Sequence, residues 1–153
     1  MGVSERKFGT LPTGEEIKIY HLENKSGAYA EVLSFGAILA KICVPDKTGE
    51  LRDVVLGYDD IEGYEVNGCF FGAIIGRSGN RIENARFFID DKEVVLAENE
   101  NHNNLHSGPN GFEKKLWEVK EISQEKNSVD FFRISPDGEN GFPGEFTVVV
   151  KYE

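Results

Sequence analysis

No stretch of a dozen residues repeats its apolar side chains at the helical period of 3.6, while short runs alternating at period two recur along the chain. These are Glu16–Tyr20, Ala28–Phe35, Arg86–Asp90, Glu93–Leu96, Leu116–Ile122, Val129–Ile134 and Phe146–Tyr152. Each is rich in β-branched and aromatic residues, which fit a pleated, half-buried surface, and each is bounded by turn formers. Asp90-Asp91-Lys92 and Gln124-Glu125-Lys126-Asn127 are polar breaks of hairpin size, so the flanking strands are expected to be antiparallel. The pattern predicts an all-β fold, a sandwich or barrel, with at most a turn of helix near Asp59–Tyr64.

A chain of 153 residues buries roughly 70% of the surface its unfolded form exposes, enough for a core without staples. No repeat, low-complexity tract or linker divides it, so a single domain is expected. With 11 Phe and 5 Tyr the chain is too apolar for a disordered acidic tail, and charge interrupts every run before a membrane span is reached. The net charge of −10, from 17 basic and 27 acidic residues, argues against nucleic acid as a partner. Cys43 and Cys69 are too few for a disulfide scaffold, and the polar start Gly2-Val3-Ser4-Glu5-Arg6 is no secretory leader. Arg6 stands where a myristoylation signal has Ser or Thr. A cytoplasmic location is therefore expected. The last run, ending at Glu153, stops in mid-strand, and an unfinished strand has an open edge. From this we expect the domain to continue beyond the sequence, and the isolated chain to self-associate through that edge.

Three loops concentrate glycine and polar residues, as functional loops do: Gly76–Ile82, Asn99–Gly108 and Ser135–Gly144. The first lacks the Gly-Lys-Ser/Thr ending of a phosphate loop. Arg81, expected to be buried, and Asn80 together offer a fork of donors and an amide, suited either to recognising sugar hydroxyl and ring oxygens or to holding a loop together. His102 and His106 are four apart, yet glycine and asparagine oppose a helix there and no third ligand is near, so no metal site is expected. His106 can act in acid/base chemistry or serve structure. His21 reads as a surface or edge residue, Cys43 and Cys69 as inert core thiols, Trp117 as core, and Asp90-Asp91 as a solvated turn.

Taken in order, these segments resemble a known family. Gly76-Arg77-x-x-Asn80-Arg81-Ile82, then Asn104-Leu105-His106-x-Gly108-x-x-Gly111-Phe112 with Leu116-Trp117 beyond, then Ser135-Pro136-Asp137-Gly138-Glu139-x-Gly141-Phe142-Pro143-Gly144, are similar to the N-terminal half of the aldose 1-epimerase (galactose mutarotase) family. The resemblance runs from about Gly9 to the end. It implies a large antiparallel β-sandwich of the galactose mutarotase type, present here over residues 1–153 as an incomplete N-terminal part. It implies an isomerase of hexose metabolism that interconverts the α and β anomers of an aldohexose such as galactose or glucose, opening and reclosing the ring by acid/base catalysis, with no cofactor and no metal. By the motif match, His106 is implied as a catalytic and substrate-binding histidine, and Asn80 and Arg81 as substrate-binding residues. The partner is a monosaccharide, with no role for nucleic acid or membrane. The chain departs from the pattern at Ser107, where the family has glycine, and at Gly79, where it has alanine. The glutamate base, second histidine and hydroxyl-binding aspartate find no match here, so the isolated chain is expected to be inactive. A non-catalytic carbohydrate-binding domain or sugar sensor, and a purely structural fragment, stay open as alternatives.

Overall fold

The computed structural model describes residues 2–153. Strands β1 (Gly2–Thr10), β2 (Glu16–Glu23), β3 (Tyr29–Leu33), β4 (Leu39–Pro45) and β5 (Leu51–Asp53) follow one another as an antiparallel meander. Two of its connections use the same turn chemistry. The Asn24 side chain accepts from the N–H groups of Ser26 and Ala28, and the Asp46 side chain accepts from those of Thr48 and Glu50. Each turn then reverses through a left-handed glycine, Gly27 at φ 81° and Gly49 at φ 85°, a conformation costly for a residue with a Cβ.

After a short helix and a loop region come β6 (Arg81–Ile82), the hairpin β7 (Arg86–Ile89) and β8 (Lys92–Val95), and β9 (Asn104–Leu105), which pairs back onto β6. The chain ends in a second antiparallel sheet, β10 (Glu118–Ser123), β11 (Ser128–Ser135) and β12 (Phe146–Tyr152), with β11 in the middle. The two larger sheets pack face to face. Val3, Tyr20, Leu22 and Val32 of the first meet Val129 and Phe131 of the second, with Phe112 and Trp117 closing one end. Tyr20 and Tyr152 both set their rings edge-on to Phe131, at centroid distances of 5.5 and 6.1 Å. Each such large side chain contributes roughly 1.5–3 kcal/mol by leaving water. Polar tips in this layer find partners: Tyr152 Oη donates to the Ala37 carbonyl at 2.8 Å, and Trp117 Nε1 donates to the Phe112 carbonyl at 3.1 Å. Burial pushes the Tyr152 phenol up to about 12. Gln124 laces the sheets at one margin, accepting from Val3 N–H at 2.9 Å and donating to Val3 C=O at 2.6 Å.

The other face of the first sheet is also covered. Ile17, Ile19, Leu33, Ile38 and Ala40 pack beneath helix α1 (Ile61–Val66), which contributes Ile61 and Tyr64. Asp60 caps its start by accepting from Gly63 N–H at 2.8 Å, and Lys114 Nζ donates to the carbonyls of Tyr64, Glu65 and Val66 at its end.

Every alternating run named above overlaps a strand, from β2 and β3 through β7, β8 and β10 to β12, and the hairpin breaks are turns between antiparallel neighbours at 90–91 and 124–127, Lys92 already opening β8. Strands β1, β4 and β5 and the β6–β9 pair were not signalled. β1 is a mostly exposed edge strand, and β4 sits between two covers, so neither alternates cleanly. Three residue readings need correction. Cys69 is exposed, and only Cys43 is a buried thiol. For His21 only the edge reading fails: it lies on the interior strand β2 with its side chain 29% exposed, its ring 4.5 Å from that of Tyr29 and facing Glu31. Arg81 is not buried, its side chain being 52% exposed. Trp117 is core, as expected.

Candidate functional site

Pairing of β6 with β9 brings Asn80, Arg81 and His106 to one place. The backbones cross-bond here: His106 N–H donates to the Asn80 carbonyl at 3.0 Å, and Asn80 N–H donates to His106 Nδ1, also at 3.0 Å. A backbone N–H can only donate, so Nδ1 carries no proton, and the neutral imidazole holds its proton on Nε2. Burial, aided by the positive charge of Arg81, pushes the His106 imidazole below its ordinary value and favours that neutral form. The ring also meets Phe70 edge-to-face, with centroids 4.7 Å apart.

Arg81 does not face the core. Its Nε and Nη2 donate to the two carboxylate oxygens of Glu100 at 3.2 and 2.9 Å, and its Nη1 donates to Asn80 Oδ1 at 3.3 Å. The pair reinforces both charges, holding the Arg81 guanidinium above and the Glu100 carboxyl below its usual range. Glu100 and Phe70 are the residues that sequence reasoning missed. Nothing in the sequence marks one of 27 carboxylates as the partner of a given arginine, and Phe70 reads as one more apolar residue.

Asparagines build the supporting loop. The Asn99 side chain accepts from Leu105 N–H at 2.7 Å and donates to Leu105 C=O at 2.9 Å, extending the β9 ladder by one side chain. Asn103 Oδ1 accepts from Asn84 N–H at 3.1 Å, and the buried Asn104 donates to the Ala97 carbonyl at 2.8 Å. Ser107 is buried at φ 72°, a left-handed conformation that favours glycine. Its hydroxyl accepts from Ser78 N–H at 2.6 Å and donates to Ser78 C=O at 3.0 Å. Those two bonds offset the strain and tie the His106 loop to the Asn80 loop. At Gly79 an added Cβ meets only Ile75, at 3.8 Å, so alanine or glycine fits equally.

The first arginine of the same loop does a different job. Arg77 donates from Nε to Ser135 Oγ at 2.8 Å, from Nη2 to the Ser135 and Pro136 carbonyls at 3.0 and 2.7 Å, and from Nη1 to the Pro143 carbonyl at 3.0 Å. It clamps the third glycine-rich loop to the first. Glu139 of that loop turns inward to Arg133 at 2.8 Å and accepts from Ser135 Oγ, and Arg133 stacks on Phe112 at 4.6 Å. The Ser135–Gly144 segment is thus scaffolding for the site. His102 is 87% exposed beside Glu98 and takes no part. Among the described residues no cluster of three or more His, Cys, Asp or Glu side chains is arranged to hold a metal ion, and no helix is long and apolar enough to cross a membrane.

The chain is 40% identical to bovine galactose mutarotase over 153 residues, covering 99% of this chain and 44% of that protein. It is 42% identical to human galactose mutarotase over 98% of this chain and 43% of that protein. Aldose 1-epimerase of Escherichia coli K12 is 36% identical over 92% of this chain and 40% of its own length. The chain therefore spans a little under half the length of these relatives. Among solved structures, a GalM/aldose epimerase homologue from C. elegans superposes with a TM-score of 0.82 at 37% identity, over 88% of this chain and 41% of that one. Galactose 1-epimerase from Lactobacillus acidophilus shares the fold at a TM-score of 0.80 and 24% identity, over 98% of this chain and 43% of that one. A family model described as aldose 1-epimerase matches residues 18–153, and with that match the chain belongs to the aldose 1-epimerase family.

Proposed function

We propose that this chain is the N-terminal part of a mutarotase that opens and recloses the ring of an aldohexose such as galactose or glucose, and that Asn80, Arg81 and His106 form its share of the sugar site. The observation that carries the reading is the fixed tautomer of His106. With Nδ1 engaged by Asn80 N–H, the outward nitrogen Nε2 is a donor, suited to a sugar ring oxygen as the C1–O5 bond breaks and negative charge gathers there. Arg81 adds positive charge on the same side without giving up a proton, since a guanidinium stays protonated at any working pH. In this reading His106 hydrogen-bonds the ring oxygen, while a base takes the proton from the C1 hydroxyl and an acid delivers a proton to the ring oxygen as C1–O5 breaks, neither of the two being among these residues. After rotation about C1–C2 the steps reverse and the other anomer forms. A positioned acid or base contributes roughly 10²–10⁴-fold each, so the half-site alone falls well short of catalysis.

The test is polarimetry on freshly dissolved α-galactose and α-glucose. A longer form of the protein carrying the remainder of the family's length accelerates the change in rotation, and the 153-residue chain does not. In the longer form His106→Ala and Arg81→Ala each lower kcat/KM by about tenfold or more. Wild-type rates in both variants, or acceleration by the 153-residue chain, would refute the assignment.

A further inference from the structure

The carboxylate of Glu100 grips Arg81 from a rigid perch. Glu100 and Asn103 exchange backbone hydrogen bonds, Glu100 N–H to Asn103 C=O at 3.2 Å and Asn103 N–H to Glu100 C=O at 2.8 Å. Between them Asn101 and His102 take φ 49° and 67°, the paired left-handed geometry of a two-residue hairpin turn. The strands of this small hairpin are held in turn by Asn99 on Leu105 and by Asn103 on Asn84. Glu100 therefore presents its carboxylate from a fixed backbone rather than from a mobile loop.

We propose that Glu100 is a positioning residue for Arg81, fixing the plane of the guanidinium and balancing its charge beside His106. A guanidinium has five N–H donors. Glu100 takes those on Nε and one on Nη2, and Asn80 Oδ1 takes one on Nη1. One donor is left on each terminal nitrogen, available to an oxygen-rich ligand. Without Glu100 the side chain, about half exposed, is free to rotate through many orientations in water. The carboxylate also leaves the Arg81–Glu100 unit with no net charge, so the site offers directed donors without a strong field for anions. That favours neutral sugars over sugar phosphates or uronates. This step rests on the sugar-site reading above, whereas the positioning of Arg81 does not.

The experiment uses nitrogen-15-labelled chain and its Glu100→Ala, Glu100→Gln and Glu100→Asp variants. In the wild type the Arg81 Nε–H exchanges slowly with water. In Glu100→Ala it exchanges roughly two- to fivefold faster, the range expected for loss of one partly exposed ion pair. The titration midpoint of His106 moves down in both Glu100→Ala and Glu100→Gln, because Arg81 is then unbalanced, and it returns toward wild type in Glu100→Asp, which keeps the charge. A residue that merely braced the hairpin would not sort the variants by charge. Unchanged Arg81 exchange together with an unchanged His106 midpoint in folded Glu100→Ala or Glu100→Gln overturns the proposal. Galactose and galactose 6-phosphate are then titrated in parallel into the longer form of the protein and its Glu100 variants. Glu100→Gln gains affinity for the phosphate relative to the neutral sugar if the charge balance operates, and an unaltered ratio refutes that part. If neither sugar perturbs any variant while the Arg81 and His106 responses hold, the sugar-site reading fails and the positioning role stands.

Discussion

Removing the fork of Arg77 tests the claim that two arginines four residues apart in one loop have opposite duties. Arg77 makes four hydrogen bonds that reach across to Ser135, Pro136 and Pro143. A hydrogen bond to a charged donor contributes about 1.5–3 kcal/mol net when shielded from water. The bonds to Pro136 and Pro143 are open to solvent, where water replaces the lost donor, so they are discounted. The two to Ser135 are partly shielded, Ser135 itself being fully buried, and keep about two-thirds of that weight. Arg77→Met is therefore expected to cost about 2–4 kcal/mol, or about 4–16 °C in melting temperature for a chain of this size. Arg77→Lys keeps the charge but cannot reproduce a planar fork, and recovers less than half of the loss. Arg81→Lys, whose side chain lies half in solvent, leaves the melting temperature unchanged within error. The assay is urea and thermal unfolding of the three variants beside wild type, followed by circular dichroism. Arg77→Lys as stable as wild type, or Arg81→Lys as damaging as Arg77→Met, would refute the division of labour.

Two further outcomes follow from burial. Phe131, fully buried at the centre of the sheet interface against Tyr20 and Tyr152, leaves a large cavity on truncation, so Phe131→Ala is expected to cost about 3–5 kcal/mol in urea unfolding. Glu113 is buried with one carboxylate oxygen unpartnered, and burial raises its carboxyl above the ordinary value of 4.5. A raised value means the folded state holds the proton more tightly than the unfolded one, so this contribution is full below 4.5 and is lost as pH rises through the folded value. Glu113→Gln mimics the protonated form and should therefore be more stable than wild type at pH about 7, with the gap closing as pH falls toward about 4. Equal unfolding midpoints at neutral pH would show that the buried carboxylate carries no such penalty.

Alternation made the strands legible wherever one face of a sheet meets the core, as in β11, where Val129 and Phe131 point inward. It failed where both faces are covered. In β4, Ala40 packs toward α1 while its neighbour Leu39 packs into the inter-sheet core, so apolar residues follow one another and the period vanishes. It failed again at β6 and β9, two residues each, whose pairing is set by long-range hydrogen bonds that leave no local pattern. The Asn80–Arg81 and His106 motifs were visible in the sequence because glycine and asparagine crowd these loops, some at left-handed positions, as Asn80 at φ 61° and Gly108 at φ 104°, and others bonding the backbone through their side chains. Their orientation was not.

Residue order alone determined the class of fold, the hairpin breaks, the core place of Trp117 and the family resemblance, since each depends on short-range periodicity or on motifs of fixed spacing. Tertiary structure decided the rest. It assigned Arg77 to the scaffold and Arg81 to the surface, gave Arg81 its partner Glu100, fixed the proton of His106 on Nε2, and exposed Cys69. All four depend on which side chains meet across gaps of many residues, and a one-dimensional pattern does not record that distance.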